Sequence, residues 1–229
     1  FKRLLGDGSN FGISLNYEIQ KNPEGIAQSF LIAKDFIKNH QVALILGDNL
    51  FNGDNLMNHL QNSLSLNEGA SIFVYPVSDP ERYGVVEFSG DGKVYSIEEK
   101  PKKPKSKFAI TGLYCYDNSV VKKAETLRPS KRGELEITDI NKLYMREGKL
   151  VVKKMNRGTT WLDTGNLDSL HEASSYIRSL EKRQGLKIGC PEEIAWRMGF
   201  INDKELLSLS EYNLKSGYGD YLKSLIEEK

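Results

Sequence analysis

The chain predicts an α/β fold, doubly wound around a mostly parallel, Rossmann-like sheet, with an inserted β-hairpin and C-terminal helices. Three observations predict it. The run Val42-Ala43-Leu44-Ile45-Leu46 is apolar on both faces and stops abruptly at Gly47-Asp48-Asn49, as a central parallel strand does when its tip faces a crevice. Residues 14–77 read as strand, helix, strand, helix, strand, the pattern of a doubly wound sheet whose ligands sit beyond the carboxyl ends of the strands. Two short alternating stretches, residues 83–88 and 94–99, flank Ser89-Gly90-Asp91-Gly92, a strong turn signal.

The elements follow in order. The opening Phe1-Lys2-Arg3-Leu4-Leu5-Gly6-Asp7-Gly8 reads as the last turn of a helix stopped by glycine, and a preceding segment is expected. Residues 14–19 alternate like a strand, and Asn22-Pro23-Glu24-Gly25 leads into apolar residues at helical spacing over 26–37. After the strand at 42–46 come a helix over 54–66 and a strand over 70–77. Beyond the hairpin, 108–116 reads as a strand, 137–147 as a helix, 150–155 as a strand and 166–183 as a long amphipathic helix. From Pro191 onward only helices remain, over 192–198, 204–209 and 219–228. That tail is too small for a core of its own, so residues 1–190 are expected to form the main domain and 191–229 a helical extension packed on it or mediating subunit contacts.

Composition bounds the partners. Among 229 residues there are 32 Lys+Arg and 31 Asp+Glu, a formal +1, so no bulk charge draws the chain to nucleic acid or an anionic membrane. With 39% hydrophobic residues it buries a substantial core. Cys115 and Cys190 belong to no Cys-x-x-Cys pair, which favours free thiols, and no stretch has the apolar length of a membrane-spanning helix or the pattern of a signal peptide. A cytoplasmic protein is expected.

The residues suited to chemistry are charged and sit at strand ends. Asp48 and Asp163 each follow an apolar run and precede a glycine-bearing turn, and two such carboxylates converging make an oxygen-rich site for Mg²⁺ shared with phosphates. Turn or helix capping accounts for strand-end aspartates as well. Lys100, closing Glu98-Glu99-Lys100-Pro101, and Arg132, in Lys131-Arg132-Gly133-Glu134, are candidate clamps for an anionic oxygen, with Glu99 as an acceptor for sugar hydroxyls; solvated surface charge is the simpler account. Gly25, Gly84 and Gly112 sit where strands meet loops and allow close backbone approach to a ligand, or satisfy a turn. Tyr83 and Tyr114 suit a sugar ring or the core. His40, His59 and His171 are isolated, and no nucleophile triad is suggested.

Taken in order, several phrases resemble the motif series of bacterial glucose-1-phosphate thymidylyltransferases, within the sugar-1-phosphate nucleotidylyltransferases. They are Gln20-Lys21-Asn22-Pro23-Glu24-Gly25, Leu46-Gly47-Asp48-Asn49, Asp79-Pro80-Glu81-Arg82-Tyr83-Gly84, Glu98-Glu99-Lys100-Pro101, Thr111-Gly112-Leu113-Tyr114, Arg132-Gly133-Glu134-Leu135-Glu136-Ile137-Thr138-Asp139 and Trp161-Leu162-Asp163-Thr164-Gly165. The resemblance continues through Cys190-Pro191-Glu192-Glu193-Ile194-Ala195 and covers essentially the whole chain. It implies attack by the phosphate of glucose 1-phosphate on the α-phosphorus of dTTP, with pyrophosphate leaving. By position it implies Gln20 and Gly25 at the pyrimidine base, Asp48 and Asp163 on Mg²⁺, and Tyr83, Gly84, Glu99, Lys100, Gly112, Tyr114 and Arg132 around the sugar phosphate. It also implies a homotetramer with a regulatory nucleotide site involving Arg157, Glu193, Ile194 and Arg197.

The sequence departs from that family at its start. Family members open with a strand and a glycine-rich turn ending in Gly-Thr-Arg-Leu, which cradles the triphosphate, and the present sequence contains neither. Two alternatives follow: a non-catalytic sugar-nucleotide-binding or regulatory subunit, and a transferase for a related nucleotide or sugar phosphate.

Overall fold

The computed structural model describes residues 1–53, 56–65, 68–212 and 217–227. In chain order the elements are α1 (Lys2–Leu5), α2 (Gln28–Ile32), α3 (Lys34–Ile37), β1 (Val42–Ile45), β2 (Asn49–Asn52), α4 (Leu56–Leu64) and β3 (Ala70–Pro76). The hairpin β4 (Gly84–Phe88) and β5 (Val94–Glu99) follows, then β6 (Phe108–Tyr116), α5 (Ser119–Thr126), α6 (Ile137–Arg146), β7 (Leu150–Lys154) and β8 (Thr160–Asp163). The chain ends with α7 (Leu167–Gln184), α8 (Pro191–Arg197), α9 (Asp203–Glu211) and α10 (Tyr218–Glu227). Residues 54, 55 and 66 of the expected fourth-element helix, and 228 of the last, lie outside the described residues.

Two compact units result, one of residues 20–175 and one of residues 1–19 with 176–229. The division falls inside α7 rather than at the expected 190/191. Its cause is local packing within the second unit: Phe11 joins a cluster of Cys190, Ala195, Ile201, Leu206, Leu222 and Leu225, and Gly12 lies against the backbone of Phe200. A capping box starts α9, the Asn202 side chain accepting from the Lys204 and Glu205 amides while Glu205 accepts from the Asn202 N–H at 2.7 Å.

In the unit of residues 20–175 the main sheet has the order β5-β4-β6-β3-β7, with β1 also on β6. The α/β class holds, but the pairing differs from the parallel sheet expected. β1, β3 and β7 do run the same way, yet β6 runs against them and takes the place between β1 and β3. Only β3 and β7 pair in parallel among the described strands. The reason is burial: β6 is buried along nearly all of its nine residues, so the centre of the sheet, where both faces and both edges are covered, falls to it. Residues 14–19, expected as a strand, form none; Ile19 is 82% exposed, so no face is available for a ladder to bury. The helix expected over 26–37 is divided at Ala33 into α2 and α3.

Alternate side chains of β3 and β6 feed two cores. Ile72, Val74, Tyr114 and Tyr116 face Phe30, Val120, Ile140 and Tyr144 from the helices, while Phe73, Leu113 and Cys115 face Phe51, Leu56 and Leu60. Each large side chain so buried contributes about 1.5–3 kcal/mol. The ring of Phe30 meets that of Tyr116 edge-on at 5.4 Å. Both cysteines are buried and free, and no described helix is long and apolar enough to cross a membrane.

One feature of β6 prepares the site. Its edge opposite β3 is shared: β4 pairs with Phe108 and Ala109, β1 pairs with Leu113 to Tyr116. Residues 110–112 have no strand partner on that edge, and β1 and β4 diverge there.

Candidate active site

The gap between β1 and β4 opens into a cleft of about 530 Å³. Asp48, Tyr83, Gly84, Glu99, Lys100, Gly112, Tyr114, Arg132 and Asp163, read from sequence as site residues, all line it. Strand ends and their turns deliver most of them, as expected where strands separate.

The two aspartates are brought together by β2, which the sequence reading did not foresee. β2 pairs antiparallel with β8, setting Asn49 opposite Asp163 and Phe51 opposite Trp161. Asp48, one residue before β2, is thereby carried to the end of β8. The backbone oxygen of Asp48 accepts from the Thr164 N–H and hydroxyl, both at 2.8 Å, and Asp163 accepts from the Gly165 N–H at 3.2 Å. A side chain at Gly165 would sit 3.2 Å from Asp163 Oδ1 and 3.6 Å from Asp48 Oδ2, so the turn leaves both carboxylates open to the cleft. Arg82 Nη2 lies 3.7 Å from Asp163 Oδ2.

Asn49 braces this corner. Its Oδ1 accepts from the Trp161 indole at 2.6 Å and the Gly112 N–H at 2.9 Å, and its Nδ2 donates to Asp48 Oδ1 at 2.9 Å. The glycine at 112 is explained by the same contact, because a Cβ there would meet Asn49 Oδ1 at 2.5 Å and Leu46 Cβ at 2.8 Å. The amide of Gly112 is therefore committed to Asn49 rather than free for a ligand.

The opposite wall carries the charged groups. Glu99 ends β5, accepts from the Thr138 hydroxyl at the start of α6, and lies 3.4 Å from Arg132 Nη1. Burial raises its carboxyl above the usual carboxylate range, against the lowering effect of Thr138. Arg132 also meets Glu134 at 2.7 Å and Glu136 at 3.9 Å. Lys100 is exposed in the cleft and holds a φ of +42°, its N–H donating to the Tyr83 carbonyl at 3.0 Å. Tyr83 stacks edge-on to Trp161 at 5.2 Å, and burial, with Asp163 beside it, pushes its hydroxyl up to about 12. Burial also raises the Tyr114 hydroxyl.

Other expected residues lie elsewhere. Gln20 donates to the Gly25 carbonyl at 3.1 Å and to Gln28, beside Ile26, which does line the cleft. Arg157 is exposed in the turn after β7. In the second unit Glu193 accepts from Arg197 at 2.7 Å and from the Tyr221 hydroxyl, and Ile194 is half-exposed. The sequence reading missed Asn49, Arg82, Glu134, Glu136, Thr138 and Trp161 as cleft residues. Asn49, Arg82, Glu134 and Trp161 stand within two residues of a site residue already singled out, whereas Glu136 and Thr138 lie further along, in the phrase Arg132-Gly133-Glu134-Leu135-Glu136-Ile137-Thr138-Asp139 that carries the resemblance.

Comparison with known proteins gives a consistent answer. A family model for nucleotidyl transferase matches residues 1–179. The chain is 54% identical over its full length to the glucose-1-phosphate thymidylyltransferase of Mycolicibacterium smegmatis, spanning 79% of that protein, and 50% identical to that of Neisseria meningitidis, again spanning 79%. Among solved structures, a putative glucose-1-phosphate thymidylyltransferase from Bacillus anthracis in complex with a sucrose superposes with a TM-score of 0.70 at 39% identity, over 83% of this chain and 73% of that one. A UDP-glucose pyrophosphorylase at 19% identity and a TM-score of 0.66 shares the fold. Cleft, sheet and sequence agree that this chain belongs to the nucleotidyl transferase family and stands among its glucose-1-phosphate thymidylyltransferases.

Proposed function

We propose that the protein transfers a thymidylyl group from dTTP to glucose 1-phosphate, giving dTDP-glucose and pyrophosphate. The observation that carries this reading is the meeting, in one cleft, of two strand-end carboxylates with a lysine and an arginine, in a chain half identical to enzymes of that name.

The reaction breaks the bond between the α-phosphorus and the bridging oxygen to the β-phosphorus while an oxygen of the sugar phosphate bonds to the α-phosphorus from the opposite side. It needs alignment and charge neutralisation, and no covalent nucleophile. Lys100 and Arg132 hold the sugar phosphate. Glu99, buttressed by Thr138, accepts from sugar hydroxyls, and the backbone at Gly84 comes close beside it, with Tyr83 and Tyr114 along the walls. Gln20 and Gly25 serve the pyrimidine.

Asp48 and Asp163 suit Mg²⁺. Among the described residues no group of three or more His, Cys, Asp or Glu gathers to hold a metal, and two open carboxylates match an ion that keeps waters and shares substrate oxygens. When bound, the ion neutralises charge developing on the phosphates. The protein acts in the cytoplasm as a homotetramer, with Arg157, Glu193, Ile194 and Arg197 at a regulatory nucleotide site.

The test is pyrophosphate release from dTTP and glucose 1-phosphate with Mg²⁺, in the protein as its gene encodes it. Turnover that depends on both substrates and the metal, and that Asp48→Asn and Asp163→Asn each abolish, is expected. Turnover unaffected by either substitution sinks the assignment of the aspartates, and no turnover with any sugar phosphate and nucleotide sinks the activity.

A further inference from the structure

Arg132 stands among more negative charge than a phosphate clamp requires. Three carboxylates face its guanidinium, Glu134 at 2.7 Å, Glu99 at 3.4 Å and Glu136 at 3.9 Å. A sugar phosphate brings further negative charge to the same guanidinium. For the phosphate to gain a two-pronged contact with the arginine, one carboxylate must yield its place.

The three are not equally free to move. Glu99 is held by the Thr138 hydroxyl, with its side chain 21% exposed. Glu136 is only 7% exposed and accepts from the Ser130 hydroxyl at 2.7 Å. Glu134 has its side chain one-third exposed, and Arg132 is the one hydrogen-bond partner of its carboxylate among the described residues. The turn beneath it is fixed independently of that carboxylate: the Ser130 N–H donates to the Glu134 carbonyl at 2.8 Å, the Gly133 N–H to the Ser130 carbonyl at 2.9 Å, and the Arg132 N–H to the Ser130 hydroxyl at 3.1 Å. Glu134 can therefore swing into solvent while Arg132 stays in place.

We propose that Glu134 is a resident stand-in for the substrate phosphate: its carboxylate occupies the outer edge of the Arg132 guanidinium and is displaced by the anion of the incoming sugar phosphate. The inference rests on Arg132 serving as the phosphate clamp. Glu134 thus sets the affinity for the sugar phosphate, and discriminates against weak anions that cannot outcompete a carboxylate.

Binding of glucose 1-phosphate, followed by calorimetry without nucleotide in the protein as its gene encodes it, tests this. Glu134→Gln keeps the shape and removes the competing charge, and is expected to bind about two- to fivefold tighter, the span carried by exposed ion pairs. Glu134→Ala is expected to gain similarly, and inorganic phosphate is expected to gain alongside the sugar phosphate. In the Arg132→Gln background the Glu134→Gln gain is expected to vanish. If Arg132→Gln weakens binding while neither Glu134 variant tightens it, the stand-in is wrong and the clamp survives. If Arg132→Gln leaves binding unchanged, the clamp itself is wrong and the stand-in falls with it.

Discussion

The Trp161 indole donates to Asn49 Oδ1 at 2.6 Å, and the Gly112 amide donates to the same oxygen at 2.9 Å. Both neighbours are obligate donors, so the Asn49 amide has one orientation, with Nδ2 toward Asp48 at 2.9 Å. One side chain thus ties β6, β8 and the Asp48 carboxylate together. Asn49→Ala frees that carboxylate and strands two donors near the cleft floor. The loss expected is about 10–100-fold in kcat/KM, as for other groups that orient metal-binding carboxylates. Pyrophosphate-release kinetics check it, and a variant within twofold of the parent rules the coupling out.

Gly25 and Gly112 should respond differently to alanine. At Gly112, whose φ any residue can adopt, the new methyl meets side-chain atoms, Asn49 Oδ1 and Leu46 Cβ, so displacing Asn49 from its hydrogen bonds is the main cost. At Gly25 it meets the backbone nitrogen of Leu135 at 2.6 Å and the Leu135 oxygen, and φ is +102° besides. Backbone held by hydrogen bonds on both sides, Leu135 N–H to Glu24 and Ala27 N–H to Leu135, has nowhere to go. Gly112→Ala is expected to cost about 1–3 kcal/mol in urea unfolding, and Gly25→Ala more. The reverse order of the two contradicts the contacts.

How far the sequence discloses this fold depends on how local each element is. β3, the β4–β5 hairpin and β6 are announced by their own alternation or apolar runs and appear within a residue of expectation. β2 has only Leu50-Phe51 to mark it; it exists because β8 pairs with it, over a hundred residues later. That pairing is also what joins Asp48 to Asp163, so the sequence offers the two aspartates as a pair without the strand that brings them together. The antiparallel place of β6 between β1 and β3 is a choice among partners, which depends on burial across the whole sheet and leaves no mark in any one segment. The acidic surroundings of Arg132 were half visible in Arg132-Gly133-Glu134-Leu135-Glu136, but Glu99 joins them only through the fold.

Asp117 should make stability depend on pH. Burial raises its carboxyl, but the donors outweigh it, Ser119, the Gly69 N–H at 2.6 Å and the Tyr144 hydroxyl at 2.7 Å, and the group titrates below its ordinary value. A depressed carboxyl contributes stability above the unfolded value, about 3.9, and loses it as pH falls toward the folded one. Asp117→Asn is therefore expected to lower stability at pH 7 by about 1–2 kcal/mol, the lower part of the range for charged hydrogen bonds because the group is partly solvated. The gap between variant and parent should narrow below about pH 4. Denaturant titrations across pH 3–7 measure it, and a gap independent of pH excludes the ionised carboxylate as the cause.

Lys100 sets stability against function at one position. Its φ of +42° is uncommon for a side chain of any size, and it persists because the Lys100 N–H is pinned to the Tyr83 carbonyl at 3.0 Å on one side while Pro101 restricts the backbone on the other. Holding a non-glycine residue there costs about 1 kcal/mol. Lys100→Gly removes the strain together with the ammonium, and Lys100→Ala removes the ammonium alone. Both are expected to lose on the order of 100-fold in kcat/KM with glucose 1-phosphate, as when one charge-stabilising donor is deleted. In unfolding, however, the glycine variant is expected to exceed the alanine variant by about 0.5–1 kcal/mol. Equal stability of the two would mean that the backbone relaxes without the lysine, so that the strain belongs to the side chain's own contacts. Unchanged activity in either would remove Lys100 from the phosphate site.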